Sequence, residues 1–264
     1  MRVTGEVVVV TGAASGIGRA LARRFAAEGA AGVVVADVDE AGAAAVAREI
    51  GDRALAVRAD VTVEAEVRAL ADVAEREFGP IGLFCSNAGI ITGHGLDASD
   101  ADWSRALAVN TLAHVYAARA VVPRMVERGG GYLLNTCSAA GLVSCPGDAP
   151  YAVSKAAAIS FAEWLAIHYR AKGIRVSVLC PQGVRTPMME RGLAEDHLTA
   201  RGVAKAAPLL DPDDVAAQVV DALAEERFLI LPHPEVAEYV RRKYDDTDRW
   251  IAGMSRFVAS LGER

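Results

Sequence analysis

The chain is predicted to be an α/β protein, a doubly wound parallel sheet of about seven strands with helices on both faces. Three observations predict it. Short apolar runs alternate with helical patterns along all 264 residues, the order that builds a parallel sheet with helical crossovers. A glycine cluster stands between the first apolar run and the first helical pattern. An acidic residue, Asp37, closes the second run. Strands are expected at 6–10, 32–36, 54–58, 82–85, 131–136, 175–179 and 228–231. The helices between them include Ala-rich stretches at 41–47 and 156–158, read as close helix packing. In such a sheet ligands bind beyond the carboxyl ends of the strands. Ser86, Ser138 and Gln182 each follow a strand and should gather on that edge. The length suits one domain over 1–264, and 52% hydrophobic residues suffice for a sizeable core.

The glycine cluster reads Thr11-Gly12-Ala13-Ala14-Ser15-Gly16-Ile17-Gly18. Ile17, Leu21 and Phe25 follow at helical spacing, and Gly29 closes that helix. Glycines between strand and helix let the backbone approach a pyrophosphate, and the helix N-terminus offers free N–H groups and a positive dipole end. This makes the domain Rossmann-type, with G-x-x-x-G-x-G spacing. Asp37 lies nineteen residues after Gly18, where a carboxylate binds the adenosine ribose hydroxyls. It also repels a 2′-phosphate, at about 4 kcal/mol for unit charges about 4 Å apart in an effective dielectric near 20. Ser15 supplies no compensating cation, and Arg19 is the basic side chain nearby on the helix. NAD is therefore expected rather than NADP.

Tyr151 and Lys155 are four residues apart, about one helical turn, with Ser138 thirteen positions upstream. A free tyrosine, with a pKa of roughly 10, is a poor base at neutral pH. A lysine cation beside it favours the phenolate, and a serine hydroxyl could hold a substrate oxygen while the proton moves.

Together these residues resemble the short-chain dehydrogenase/reductase family, in its short single-domain branch, from about residue 5 to 231. The Thr11-Gly12, Gly16 and Gly18 turn looks like that branch's cofactor signature, and Asp60-Val61 like its adenine-contacting pair. Ser86-Asn87-Ala88-Gly89 resembles its Asn-Asn-Ala-Gly segment, with serine in place of the first asparagine. Asn110 matches its helix asparagine and is followed by Ser138, Tyr151 and Lys155. Pro181-Gln182-Gly183-Val184-Arg185-Thr186 resembles its Pro-Gly-x-Val-x-Thr loop, with Gln182 where that pattern has glycine. The resemblance implies Tyr151 as general acid/base, and Lys155 lowering its pKa and binding the nicotinamide ribose. It implies Ser138 donating to the substrate oxygen, and Asn110 holding a water that relays protons from Lys155. Cofactor contacts are implied at Gly12, Ser15, Gly16, Ile17, Gly18, Asp37, Asp60, Val61, Asn87, Ala88, Gly89, Tyr151, Lys155, Pro181, Val184 and Thr186.

A net charge of −6 argues against a generic nucleic-acid partner. No apolar run is long enough to span a bilayer, and the N-terminus lacks a signal-peptide pattern, so a cytoplasmic protein is the default expectation. Cys85, Cys137, Cys145 and Cys180 form no C-x-x-C pair, and no zinc spacing is present. Three read as buried thiols, while Cys145 sits in a loop near the site. Residues 186–210 look like the family's substrate lid. Residues 232–264 form a helical extension whose stripe of Trp250, Ile251, Met254, Phe257, Val258 and Leu261 must be covered by its own domain or another subunit. His94 reads as a polar loop residue and His197 as solvated. Ile90, Ile91, Leu142, Val143, Met188 and Met189 should line an apolar substrate pocket, with Arg185 or Arg191 at its mouth. The reading is an NAD-dependent alcohol dehydrogenase or carbonyl reductase acting on an apolar secondary alcohol, as a homo-oligomer and by resemblance a tetramer. The alternatives are a non-catalytic NAD sensor on the same fold and an NAD-dependent lyase or epimerase.

Overall fold

A computed structural model describes residues 1–262. Seven strands, β1 (Val7–Thr11), β2 (Gly32–Asp37), β3 (Ala54–Arg58), β4 (Ile81–Ser86), β5 (Gly131–Thr136), β6 (Ile174–Leu179) and β7 (Leu229–Ile230), form one parallel sheet in the order β3-β2-β1-β4-β5-β6-β7. The helices are α1 (Gly16–Ala27), α2 (Glu40–Ile50), α3 (Glu64–Phe78), α4 (Asp100–Leu107), α5 (Ala113–Glu127), α6 (Ala139–Val143), α7 (Ala149–Tyr169), α8 (Pro187–Ala194), α9 (Leu198–Ala206), α10 (Pro212–Ala224), α11 (Glu235–Asp245) and α12 (Thr247–Leu261). A π-turn, Ala108–Leu112, joins α4 to α5.

The sheet is buried on both faces, which is why its strands read as continuous apolar runs. Alternate residues still separate cleanly. Val9, Val34, Phe84 and Leu133 face Leu70 of α3, Met125 of α5 and Leu165 of α7. Val8, Val10, Val35 and Leu134 face Phe25 of α1, Val46 of α2 and Val219 of α10. Each such fully buried side chain contributes about 1.5–3 kcal/mol.

The first strand begins one residue later than expected, because the Glu6 N–H turns back to the Val3 carbonyl. The seventh is shorter than expected, since it pairs with β6 alone and Pro232 follows closely. Strand order reverses between β1 and β4, which opens a crevice at their carboxyl ends. Gln182 introduces no left-handed backbone, so the side chain at this glycine position leaves the loop unstrained. Its N–H donates to His233 Nδ1 at 3.1 Å, which ties the loop to the segment after β7.

No helix among the described residues is long and apolar enough to cross a membrane. The extension expected over 232–264 forms α11 and α12; residues 263 and 264 lie outside the described residues.

Candidate active site

A continuous cavity of about 1070 Å³ runs along the carboxyl edge of the sheet, larger than a typical small-ligand pocket of roughly 300–1,000 Å³. One end is the glycine turn. Gly12 has φ +62°, and a Cβ there would lie 2.7 Å from Ala88 Cα. A Cβ on Gly18 would collide with the Gly12 carbonyl and the Asn87 amide. Gly16, φ +53°, would meet Thr186 at 3.0 Å. Side chains would thus fill the cradle in which a pyrophosphate needs bare backbone, so the residues present fit a dinucleotide.

Asp37 is held at the end of β2 by N–H groups of Ala14 (2.9 Å) and Asp39 (3.0 Å). Arg19, the cation that would otherwise be available to a 2′-phosphate, is forked onto Glu49 at 2.8–3.2 Å. Asp60 accepts from the Thr62 hydroxyl (2.7 Å) and N–H (2.9 Å), which hold its carboxyl below the usual range despite partial burial. Ser15, Ile17, Val61, Gly89, Pro181 and Val184 also line the cavity.

Asn87 lines it too, but its amide is spent on the fold. Nδ2 donates to the carbonyls of Thr11 (3.0 Å) and Gly12 (3.3 Å), and Oδ1 accepts from the Thr136 hydroxyl (3.0 Å). The ends of β1, β4 and β5 are thereby locked together.

Tyr151 and Lys155 project from α7 into the cavity beside Ser138, which caps α6 by accepting from Ala140 N–H at 3.1 Å. Lys155 Nζ donates to the Thr136 carbonyl at 2.8 Å and lies 5.9 Å from the Tyr151 ring centroid. Burial lowers the lysine's pKa. The expectation of a depressed tyrosine is not met within the protein alone. Burial pushes the Tyr151 phenol well above its ordinary value, and the Ser138 hydroxyl offsets only part of that.

Asn110, expected to hold a relaying water, has its side chain fixed by the fold. It sits in the π-turn, fully buried, with Oδ1 accepting from Ile90 N–H (2.9 Å) and Nδ2 donating to the Ile90 carbonyl and Ser154 Oγ (3.0 Å each). Its amide is therefore committed to protein partners, and a water relay has only its main-chain carbonyl to use. Gly89 makes room here, since a Cβ would stand 3.3 Å from Lys155 Nζ and 3.4 Å from Asn110 Oδ1.

Sequence reasoning missed Asp148. This buried carboxylate accepts from Thr92 N–H, Thr92 hydroxyl and Gly93 N–H, all at 2.7 Å, and from Tyr151 N–H at 3.0 Å. It caps α7 and fastens the loop after β4 beside Tyr151. The signal was present in Asp148-Ala149-Pro150, an N-cap followed by proline in the first helical turn.

The far end of the cavity is bounded by α8, α9 and the C-terminal helices α11 and α12. Tyr239, Trp250, Met254 and Phe257 complete an apolar wall with Ile90, Ile91, Val143, Met188 and Met189. The stripe on α12 is only partly covered within this chain: Gly202 of α9 admits Leu261 and Phe257, Trp250 and Met254 line the cavity, and Ile251 stays 60% exposed. Leu142, expected in the wall, is absent from it and packs from α6 against the core instead. Arg185 is paired with Asp211 at 2.8 Å. It and Arg191 stand off the cavity, whose lining cations besides Lys155 are Arg105 and Arg242, the latter held to Glu238 at 2.7 Å. His197 is not solvated: it packs on Gly93 and pairs with Glu195 at 3.1 Å. His94 stays an exposed loop residue, 3.6 Å from Asp97. Cys85, Cys137 and Cys180 are buried. Cys145 lines the cavity, its thiol pushed up to about 12 by burial and by Asp148.

Known proteins share this architecture. The family described as short chain dehydrogenase matches residues 6–196. A 1-deoxy-11-beta-hydroxypentalenate dehydrogenase of Streptomyces exfoliatus is 39% identical, with 96% of this chain and 92% of that protein covered. Epidermal retinol dehydrogenase 2 of Mus musculus is 36% identical over 87% of this chain and 75% of its own length. A short-chain dehydrogenase/reductase from Burkholderia phymatum, solved in complex with NAD, superimposes with a TM-score of 0.86 at 34% identity, over 94% of this chain and 96% of that one. With the glycine cradle, the sheet order and these matches in agreement, the chain belongs to the short-chain dehydrogenase/reductase family.

Proposed function

We propose that this oxidoreductase uses NAD to oxidise an apolar secondary alcohol to its ketone. The observation that carries the reading is the single cavity, which joins a glycine cradle and Asp37 at one end to Tyr151, Ser138 and an apolar chamber at the other. NAD, when bound, supplies the hydride acceptor. Gly12, Gly16 and Gly18 would receive its pyrophosphate, Asp37 its adenosine ribose, and Asp60 and Val61 its adenine. Val184 and Thr186 would close over its nicotinamide end. Ser138 donates to the substrate oxygen, Tyr151 takes the hydroxyl proton, and Lys155 holds the ribose and steadies the phenolate. The Asn110 main-chain carbonyl would accept from a water, and protons would pass from Lys155 to solvent through that water.

The chamber wall favours an apolar substrate, since a polyhydroxylated one would leave its polar groups unpaired. Two similar proteins are named for hydroxypentalenate and retinol, hydroxyl-bearing compounds. The NAD reading favours oxidation, because cells keep NAD largely oxidised. A screen of secondary alcohols by NADH absorbance tests this: hydrophobic ones should turn over, and Phe257→Ala should cut kcat/KM for them about tenfold by removing buried aromatic contact. Turnover of sugars or small hydroxy acids alone would defeat the substrate assignment.

Asp37→Ser should narrow the preference for NAD over NADP by at least tenfold, through loss of the repulsion that Arg19 is not placed to offset. A wild type with better kcat/KM for NADP would reverse the cofactor assignment.

The chain is further expected to assemble as a homotetramer. Val153, Ala156, Ser160, Trp164 and Ile167 make an exposed stripe along α7, with Ile167 76% exposed. Light scattering at micromolar concentration should report four copies, and a monomer would refute it.

A further inference from the structure

Asp148 caps α7 three residues before Tyr151, yet most of its hydrogen bonds go elsewhere. Oδ2 accepts from the N–H groups of Thr92 and Gly93, both at 2.7 Å. Oδ1 accepts from the Thr92 hydroxyl at 2.7 Å and from Tyr151 N–H at 3.0 Å. A helix cap needs only the last of these. The other three hold the loop after β4, and Ala149 N–H adds a bond to the His94 carbonyl at 3.2 Å. That loop brings Ile90 and Ile91 to the cavity wall. The start of α9 rests on the same joint. Gly93 and Gly147 have φ of +76° and +78°, and a Cβ on them would stand 2.5 Å from the His197 ring and 2.6 Å from Leu198 Cβ respectively. Thr199 donates to the Pro146 carbonyl and lines the cavity. One buried carboxylate thus lies where two walls of the chamber meet the helix that carries Tyr151.

We propose that Asp148 is a positioning residue for the reaction, joining the substrate wall to Tyr151 so that a bound alcohol is held at a fixed distance from the phenol. The inference rests on the catalytic reading of Tyr151. Serine or threonine would cap the helix equally well, so capping alone does not account for a carboxylate with four donors around it. The charge has a consequence of its own. Burial first, and the Asp148 charge to a smaller extent, hold the Tyr151 phenol above its ordinary value. Asp148 therefore sets both where the alcohol lies and how readily its proton is taken. The other charged or titratable groups facing this joint are Lys155 on α7, Cys145 in the loop before it, Cys137 after β5 and His197 beside Gly93. Arg105 of α4 and Arg242 of α11 stand on the cavity wall, and His114 and Cys180 act on Lys155.

The test compares Asp148→Ser, Asp148→Asn and Thr92→Val with wild type in NAD-dependent oxidation of an apolar secondary alcohol. Asp148→Ser still caps α7, but its hydroxyl is too short to reach Thr92 and Gly93 as well. Its KM for the alcohol should rise about tenfold, the effect of losing a hydrogen bond to a charged group, with NAD affinity unchanged. Asp148→Asn keeps an oxygen for the N–H groups of Thr92 and Gly93 and an N–H for the Thr92 hydroxyl. It should therefore restore a KM within about twofold of wild type, because only the bond to Tyr151 N–H is given up. Both variants lack the charge, and removing a negative charge favours the phenolate. The acidic limb of kcat/KM should move to lower pH by about half a unit or more in each. Thr92→Val removes the hydroxyl alone and should raise KM about threefold; it decides the part of the loop if Asp148→Ser fails to fold. A wild-type KM in Asp148→Ser and Thr92→Val, with only the melting temperature lowered, overturns the proposal. So does an acidic limb in Asp148→Asn that stays in place or moves to higher pH. Failure of the catalytic reading looks different: Tyr151→Phe would keep its turnover, whatever the Asp148 variants do.

Discussion

Tyr151→Phe should lose at least a hundredfold in kcat while binding NAD almost as wild type does. The substitution keeps the ring, and with it the packing of α7 against the loop that Asp148 fastens. What disappears is the hydroxyl, and general acid–base catalysis by a positioned side chain is worth about 10²–10⁴-fold. Burial holds the phenol protonated in the protein alone. Oxidation must therefore draw on Ser138 and Lys155 to form the phenolate, and the wild-type rate should fall toward acid. Single-turnover NADH formation isolates the chemical step, and titration with NAD reports the cofactor site separately. Retention of more than a tenth of the wild-type rate would sink the assignment of Tyr151.

Acid should unfold the protein early, and His114 should be a main cause. Its pKa falls from 6.5 to about 3 on folding, chiefly by burial. The unfolded chain therefore takes up a proton below about pH 6.5 that the folded chain refuses until about pH 3. Stability is unaffected above the first value and declines as pH drops through the interval. The whole interval corresponds to about 5 kcal/mol, and about 2 kcal/mol of it is lost between pH 7 and pH 5. Asp60 and Glu75, whose folded pKa values are depressed by hydrogen bonds and arginines, add their own losses only at lower pH. Urea melts at pH 7 and pH 5 measure the drop, and His114→Leu should remove most of it. An unchanged drop in that variant would place the acid sensitivity elsewhere.

Much of this was legible in the sequence because the relevant residues act through local pattern. Gly12, Gly16 and Gly18 declare themselves by spacing, and strands buried on both faces read as unbroken apolar runs. Tyr151 and Lys155 share a helix face by arithmetic. What stayed hidden depends on contacts between distant segments. The Asp148 carboxylate matters because residues 92 and 93 come to it, and nothing in its neighbours announces that. Asn110 was found, but its amide faces Ile90 and Ser154 rather than solvent. Nothing in the sequence marked His114, whose burial follows only from the packing of α5 on the sheet. Burial also reversed the local argument for Tyr151: a lysine one turn away is felt less than the loss of water around the ring.

The roof over the substrate chamber is fastened differently from the way it is lined. Arg201 and Lys205 of α9 reach the last carbonyls of α12, at Leu261, Gly262 and Ser260, over 3.1–3.3 Å, where cations meet the negative end of a helix. Such contacts are worth about 0.3–1 kcal/mol each near a surface, a latch shallow enough to open within a catalytic cycle. Salt screens it, while salting-out ions strengthen the burial of an apolar guest. Ionic strength therefore pulls on this enzyme in two directions at once, loosening the door as it deepens the hold of the room behind it.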